Sequence, residues 1–143
     1  MRHVDLCFLE HPVLLLFVPS SNAQALGALF AAAQDRGIAP HQMICTGDVV
    51  AYCGAPQRTT AMIRAMGCAV VAGNCEIQLG SDAADCGCGF DDGTVCDVLS
   101  ARWYGFAAQA LSEGDKMWMA ARPDVISFHH QGSRYGVIHG GVQ

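Results

Sequence analysis

The stretch Val13-Leu14-Leu15-Leu16-Phe17-Val18, closed by Pro19-Ser20-Ser21, sets the reading of the fold. Six consecutive apolar residues followed at once by turn formers predict a short strand buried on both faces. The residues beyond it are spaced as a helix: Ser21 or Asn22 can cap it, Ala25, Leu26, Leu29, Phe30 and Ala33 form the stripe, and Gly37 with Pro40 ends it. Gln42 to Thr46 reads as a second strand, stopped by Gly47-Asp48. Pro56 opens a second helix whose stripe is Met62, Ile63 and Met66, and Gly67 stands at its C-terminal stop. Cys68 to Ala72 makes a third strand, stopped by Gly73-Asn74. Alternating strands and helices, with every strand apolar throughout, predict an α/β fold: a parallel, doubly wound sheet with right-handed crossovers.

The second half has a different texture. After the Asp-, Gly- and Cys-rich stretch Ser81 to Gly93, residues Thr94 to Leu111 are spaced as a helix with Val95, Val98, Leu99, Trp103, Phe106 and Ala110 on its inner face. A shorter helix is expected around Lys116 to Ala120. Val125 to His130 and Arg134 to His139, joined by Gln131-Gly132-Ser133, read as a closing β-hairpin. No repeat or extended linker divides the chain, so residues 1–143 are expected to form a single domain.

Composition narrows the function classes. The chain is 52% apolar and 15% charged, which suits one ordinary core. Eight Lys and Arg stand against thirteen Asp and Glu, for a net charge of −5, and the basic residues are scattered singly. A phosphate-neutralising stripe is missing, so nucleic acid is not an expected partner. The longest apolar run falls far short of the ~20 residues of a bilayer-spanning helix. Asp5, Glu10 and Pro12 interrupt any secretory leader, and the expected location is the cytoplasm.

Of the eight cysteines, Cys7, Cys45, Cys53, Cys68 and Cys75 lie in or beside apolar segments, where free thiols behave as small hydrophobes. Cys86, Cys88 and Cys96 lie in or beside the polar stretch, with Cys75 close enough in sequence to join them. A structural zinc site there is one reading, although a single C-x-C departs from the paired C-x2-C knuckles of common zinc ribbons. A disulfide and plain thiols are the others.

Ligands of open parallel sheets bind outside the carboxyl ends of the strands, where loops and helix N-termini converge. The predicted strand ends deliver Gly47-Asp48, then Gly73-Asn74-Cys75-Glu76, then His139-Gly140-Gly141. A carboxylate, an amide oxygen and an imidazole together suit a divalent cation, and the glycines allow close backbone approach.

These segments carry a resemblance. Ile44-Cys45-Thr46-Gly47-Asp48, Val70-Val71-Ala72-Gly73-Asn74-Cys75-Glu76 and Val137-Ile138-His139-Gly140-Gly141 resemble the calcineurin-like metallophosphoesterases, over roughly Val13 to Leu79 and Ile126 to Gly141. The resemblance implies a partial four-layer αββα sandwich and hydrolysis of a small phosphomonoester or phosphodiester by metal-activated water. It implies Asp48 as bridging metal ligand, Asn74 as ligand of a second ion, and His139 as a ligand from the back half. The metal would be Mn2+, Fe2+ or Zn2+. Where the family has an Asp-x-His after its first strand, this chain has Phe17-Val18-Pro19-Ser20-Ser21-Asn22, which leaves ligands for a single ion and allows an inactive phosphate- or metal-binding relative as the alternative. Cys75 stands where the family has a His that assists the leaving group, so Cys75 and Glu76 become the candidate catalytic residues. The family's later Gly-His-x-His is also missing, so the chain matches the N-terminal part of the family fold, and an open sheet edge makes a homodimer plausible.

Overall fold

The computed structural model describes residues 1–140, so Gly141 of the expected His-Gly-Gly end lies outside the described residues. Its elements in chain order are β1 (His3–Phe8), β2 (Leu14–Leu16), α1 (Ala23–Asp35), β3 (Met43–Cys45), α2 (Pro56–Met66), β4 (Ala69–Val70), α3 (Asn74–Gly80), α4 (Val95–Ala110), α5 (Glu113–Ala120), β5 (Val125–His130) and β6 (Ser133–Val137). The fold is mixed α/β with parallel strands.

The helix signals act as the sequence suggests. Asn22 caps α1 by accepting the Ala25 N–H at 3.0 Å, and Pro56 opens α2, which Gly67 closes in the left-handed conformation, φ 72°. Thr94 caps α4 through the Asp97 N–H. Gln131 and Gly132, both at positive φ, turn β5 into β6.

The strands form two sheets rather than one. β2, β3 and β4 make a parallel sheet in that order, with Leu16 opposite Cys45 and Cys45 opposite Val70. The second sheet has the order β1-β5-β6: β1 runs parallel to β5, and β5 pairs antiparallel with β6. Side-chain alternation along β3 explains the layering. Met43 and Cys45 join a large core fed by all five helices, including Leu26, Ile63, Leu79, Ala107 and Met119. Ile44, pointing the other way, joins Val71 in a smaller core against Ile126, Phe128 and Val137. The parallel sheet is therefore not doubly wound: one face meets helices and the other meets the second sheet.

Two expectations are corrected and one strand is added: β1 is held to β5 across almost the whole chain. β2 is an edge strand, so Leu16 is buried while Leu15 is 37% exposed. α4 keeps Trp103 of the expected stripe inside but otherwise turns a different face inward, burying Ser100, Tyr104 and Ala107 with it, whereas Val95, Val98, Leu99 and Phe106 are exposed.

Candidate functional site

The site begins with two backbone turns that touch. Gly47, at the end of β3, has φ 93°, and Asp48 follows at φ 51°. A Cβ on Gly47 would lie 2.5 Å from the Gly73 nitrogen and 2.8 Å from the Val71 oxygen. One on Gly73 would run into Asp48 Oδ1 and lie 2.7 Å from the Asp48 nitrogen. Each turn therefore needs glycine because the other occupies the space of a side chain.

Glu76 pins the contact. It is completely buried, and its Oε2 accepts from the Asp48 N–H at 2.7 Å and the Gly73 N–H at 2.9 Å. Its Oε1 accepts from the Val49 N–H at 2.9 Å. Burial, and next the neighbouring Asp48 carboxylate, push the Glu76 carboxyl above its ordinary value, while the three N–H groups pull the other way. Asp48 Oδ1 in turn accepts from the Cys75 N–H at 3.1 Å. The carboxylate of one turn thus reads the backbone of the other, and both are closed by the third-position Glu of α3.

The chain's back half supplies His139. Its Nδ1 lies 2.7 Å from the Thr46 carbonyl oxygen. A carbonyl can only accept, so Nδ1 carries the proton and a neutral ring leaves the lone pair on Nε2. Nε2 lies 3.4 Å from Asp48 Oδ2, so a lone pair and a carboxylate oxygen face each other unless something electrophilic lies between them. A proton is one such group and a cation is another. Ligands about 2.1 Å from a four-coordinate cation stand about 3.4 Å apart at the tetrahedral angle, so the pair fits a divalent ion. A ligating imidazole whose other nitrogen donates to a carbonyl is the usual arrangement.

Asn74 and His139 line one cavity of about 440 Å³, together with Gly73, Asp124 and Gly140. The Asn74 Nδ2 donates to the Cys86 carbonyl at 2.9 Å, and its Oδ1 has no hydrogen bond among the described residues. Asp48 and His139 therefore meet at the ends of β3 and β6, and Asn74, at the end of β4, shares a cavity with His139. Among the described residues no group of three or more His, Cys, Asp or Glu gathers as a metal site. Asn74, which lines the same cavity as His139, offers an amide oxygen as a candidate third donor beside the Asp48 and His139 pair.

The two residues expected to move protons are placed otherwise. Cys75 is fully buried, and burial followed by the Asp48 and Glu76 carboxylates drives its thiol far upward. Glu76 has no exposed surface, and three backbone groups occupy its oxygens. Neither side chain can reach a molecule in the cavity, so the catalytic expectation for Cys75 and Glu76 is corrected: Glu76 is a structural brace, and Cys75 contributes its N–H. A Glu three residues after Gly73 was the available signal, being the position from which a side chain reaches back to a helix start.

The cysteine-rich stretch is also rearranged. Cys86 and Cys88 are joined as a disulfide, so those two sulfurs are not thiolate ligands in this structure, and Cys96 is an exposed free thiol. A zinc held by Cys86, Cys88 and Cys96 does not fit that arrangement. At the end of β2, Ser20 Oγ donates to the Val18 carbonyl and Ser21 Oγ to the Val50 carbonyl, while Asn22 is committed to its cap.

No protein-family model matches the chain, and no curated protein matches it. Among the described residues no helix is long and apolar enough to cross a membrane.

Proposed function

We propose that this chain is a metallophosphoesterase-like domain that holds one divalent cation through Asp48, His139 and Asn74 and hydrolyses a small phosphomonoester or phosphodiester. The observation that carries the reading is the Asp48 Oδ2 to His139 Nε2 spacing of 3.4 Å, with Nδ1 already committed to Thr46. Such an ion would supply positive charge to a phosphate ester and acidify a bound water. The chain's own residues do the positioning. The Thr46 carbonyl fixes the imidazole, the Cys75 N–H fixes the carboxylate, and Glu76 keeps both turns in register. The cavity beside Asn74 and His139 has room for a phosphate group.

The same proposal takes the two stacked sheets, with helices on one side, as part of an αββα sandwich. It places the protein in the cytoplasm and allows a second copy to pair at the open edge of β6.

A second reading is a non-catalytic relative that binds a cation or phosphate as an interaction module. It is favoured by the end of β2, where Ser20, Ser21 and Asn22 spend their side chains on backbone groups and offer no second carboxylate or imidazole. The test is turnover of chromogenic phosphomonoesters and phosphodiesters with added Mn2+, comparing wild type with Asp48→Ala. Activity lost in the variant supports the enzyme. Equal rates refute it, and Mn2+ binding without turnover selects the second reading.

A further inference from the structure

The Cys86-Gly87-Cys88 turn lies against the residue that offers the cation its amide oxygen. Asn74 Nδ2 donates to the Cys86 carbonyl at 2.9 Å and lies 3.7 Å from Cys88 Sγ. The Tyr52 hydroxyl stands 3.7 Å from the same sulfur. Gly87, between the two cysteines, has φ 65°, and a Cβ there would lie 2.7 Å from Gln78 Nε2 on α3. Its N–H is held by Asp85 Oδ1 at 2.8 Å. The closed turn thus sits on α3 at two points, Asn74 and Gln78, and fixes which end of the Asn74 amide faces the cavity. With Nδ2 drawn to Cys86, Oδ1 is the end left for a ligand.

We propose that the Cys86–Cys88 disulfide is a redox latch on Asn74, so that its reduction by a dithiol weakens cation binding at Asp48 and His139. This rests on the cation site proposed above. Six of the eight cysteines are free thiols, so this bond is the structure's reducible group. Cys88 is the less buried sulfur, and both cysteines line a cavity of about 260 Å³ through which a small dithiol can enter.

A thiolate of the dithiol attacks Cys88 Sγ, the S–S bond breaks, and Cys86 leaves as a thiolate that takes up a proton. The second thiol of the reductant then displaces Cys88 and closes its own disulfide. The protein gains two electrons and two protons, and the dithiol loses the same. Once opened, the turn no longer holds the Cys86 carbonyl against Asn74, and the amide is free to rotate. Residues that orient a ligand change metal affinity by about 10–100-fold when lost, so reduction is expected to weaken binding at least tenfold.

The experiment measures Mn2+ affinity by calorimetry on the whole chain, before and after treatment with dithiothreitol followed by its removal under anaerobic conditions. Alkylation and mass spectrometry count the thiols in each sample. A Cys86→Ser/Cys88→Ser variant, checked for folding by circular dichroism, reports the open turn without any reductant. The expected result is tight binding in the oxidised protein, with binding at least tenfold weaker in both the reduced protein and the variant. Equal affinity in the oxidised and reduced forms overturns the latch and leaves the cation site standing. Absence of Mn2+ binding in every form overturns the cation site and the latch with it.

Discussion

Replacing Glu76 by Ala removes the acceptor from three backbone donors at once, the N–H groups of Asp48, Val49 and Gly73 at 2.7, 2.9 and 2.9 Å. A buried donor left without a partner costs about 1–3 kcal/mol. Water entering the vacated space offsets part of this, so the lower figure applies to each donor and the sum is about 3 kcal/mol. Urea slopes of about 1–3 kcal/mol/M translate that into a midpoint about 1–3 M lower. Fluorescence of Trp103 and Trp118, followed in parallel with far-ultraviolet circular dichroism, reads the transition. The pH dependence has a definite sign. Burial and Asp48 raise the folded-state value of Glu76 above its ordinary 4.5. The folded chain therefore holds this proton more tightly, and the stabilisation is complete below the unfolded value and lost as pH rises through the folded one. The advantage of wild type over Glu76→Ala should be widest below pH 4.5 and should narrow upward. A midpoint within about 0.3 M of wild type, or a gap that widens with rising pH, would refute the brace.

Three further outcomes follow from the same geometry. Gly73→Ala drives a Cβ into Asp48, so it should lower stability by about 1–3 kcal/mol and weaken Mn2+ binding at least tenfold, read by urea melts and calorimetry. Gly47→Ala should cost clearly more than Gly37→Ala: both have positive φ, but only the Gly47 Cβ meets backbone, at 2.5 Å from the Gly73 nitrogen, and thermal melts of the two variants give the difference. Leu99→Lys on the exposed side of α4 should stay within about 0.5 kcal/mol of wild type, whereas Trp103→Ala should lose about 3–5 kcal/mol; a loss of several kcal/mol in Leu99→Lys, read by denaturant melts, would restore Leu99 to the inner face expected from the sequence.

The parts of this fold that were legible are those whose signals are local. Asn22, Pro56 and Gly67 mark helix ends by chemistry that needs only the adjacent backbone, and Gln131-Gly132 marks the hairpin in the same way. β1 carries a weak local signal, since Val4, Leu6 and Phe8 alternate with His3, Asp5 and Cys7, a period of two. Its partner β5 lies at the other end of the chain, so nothing local announces a second sheet. The inner face of α4 departs from the expected stripe, apart from Trp103, for another reason. Apolar residues occur around most of that helix, so its spacing fits two faces, and contacts of Trp103 and Tyr104 decide between them. At the site, the strand-end positions of Asp48, Asn74 and His139 followed from the rule that loops gather at carboxyl ends. The tie from His139 to the Thr46 carbonyl, and the three bonds made by Glu76, join residues far apart in sequence and left no pattern to read.

His139 and Asp48 are expected to grip the same ion. Pulsed electron paramagnetic resonance of the protein loaded with one equivalent of Mn2+ reports nitrogen bound directly to the metal. The chain has six histidines, and the geometry assigns the signal to His139 alone. One imidazole coupling is expected in wild type, absent in His139→Ala, with Mn2+ affinity strongly reduced in Asp48→Ala. A wild-type spectrum without imidazole nitrogen, or one unchanged in His139→Ala, would contradict a cation shared by the two side chains.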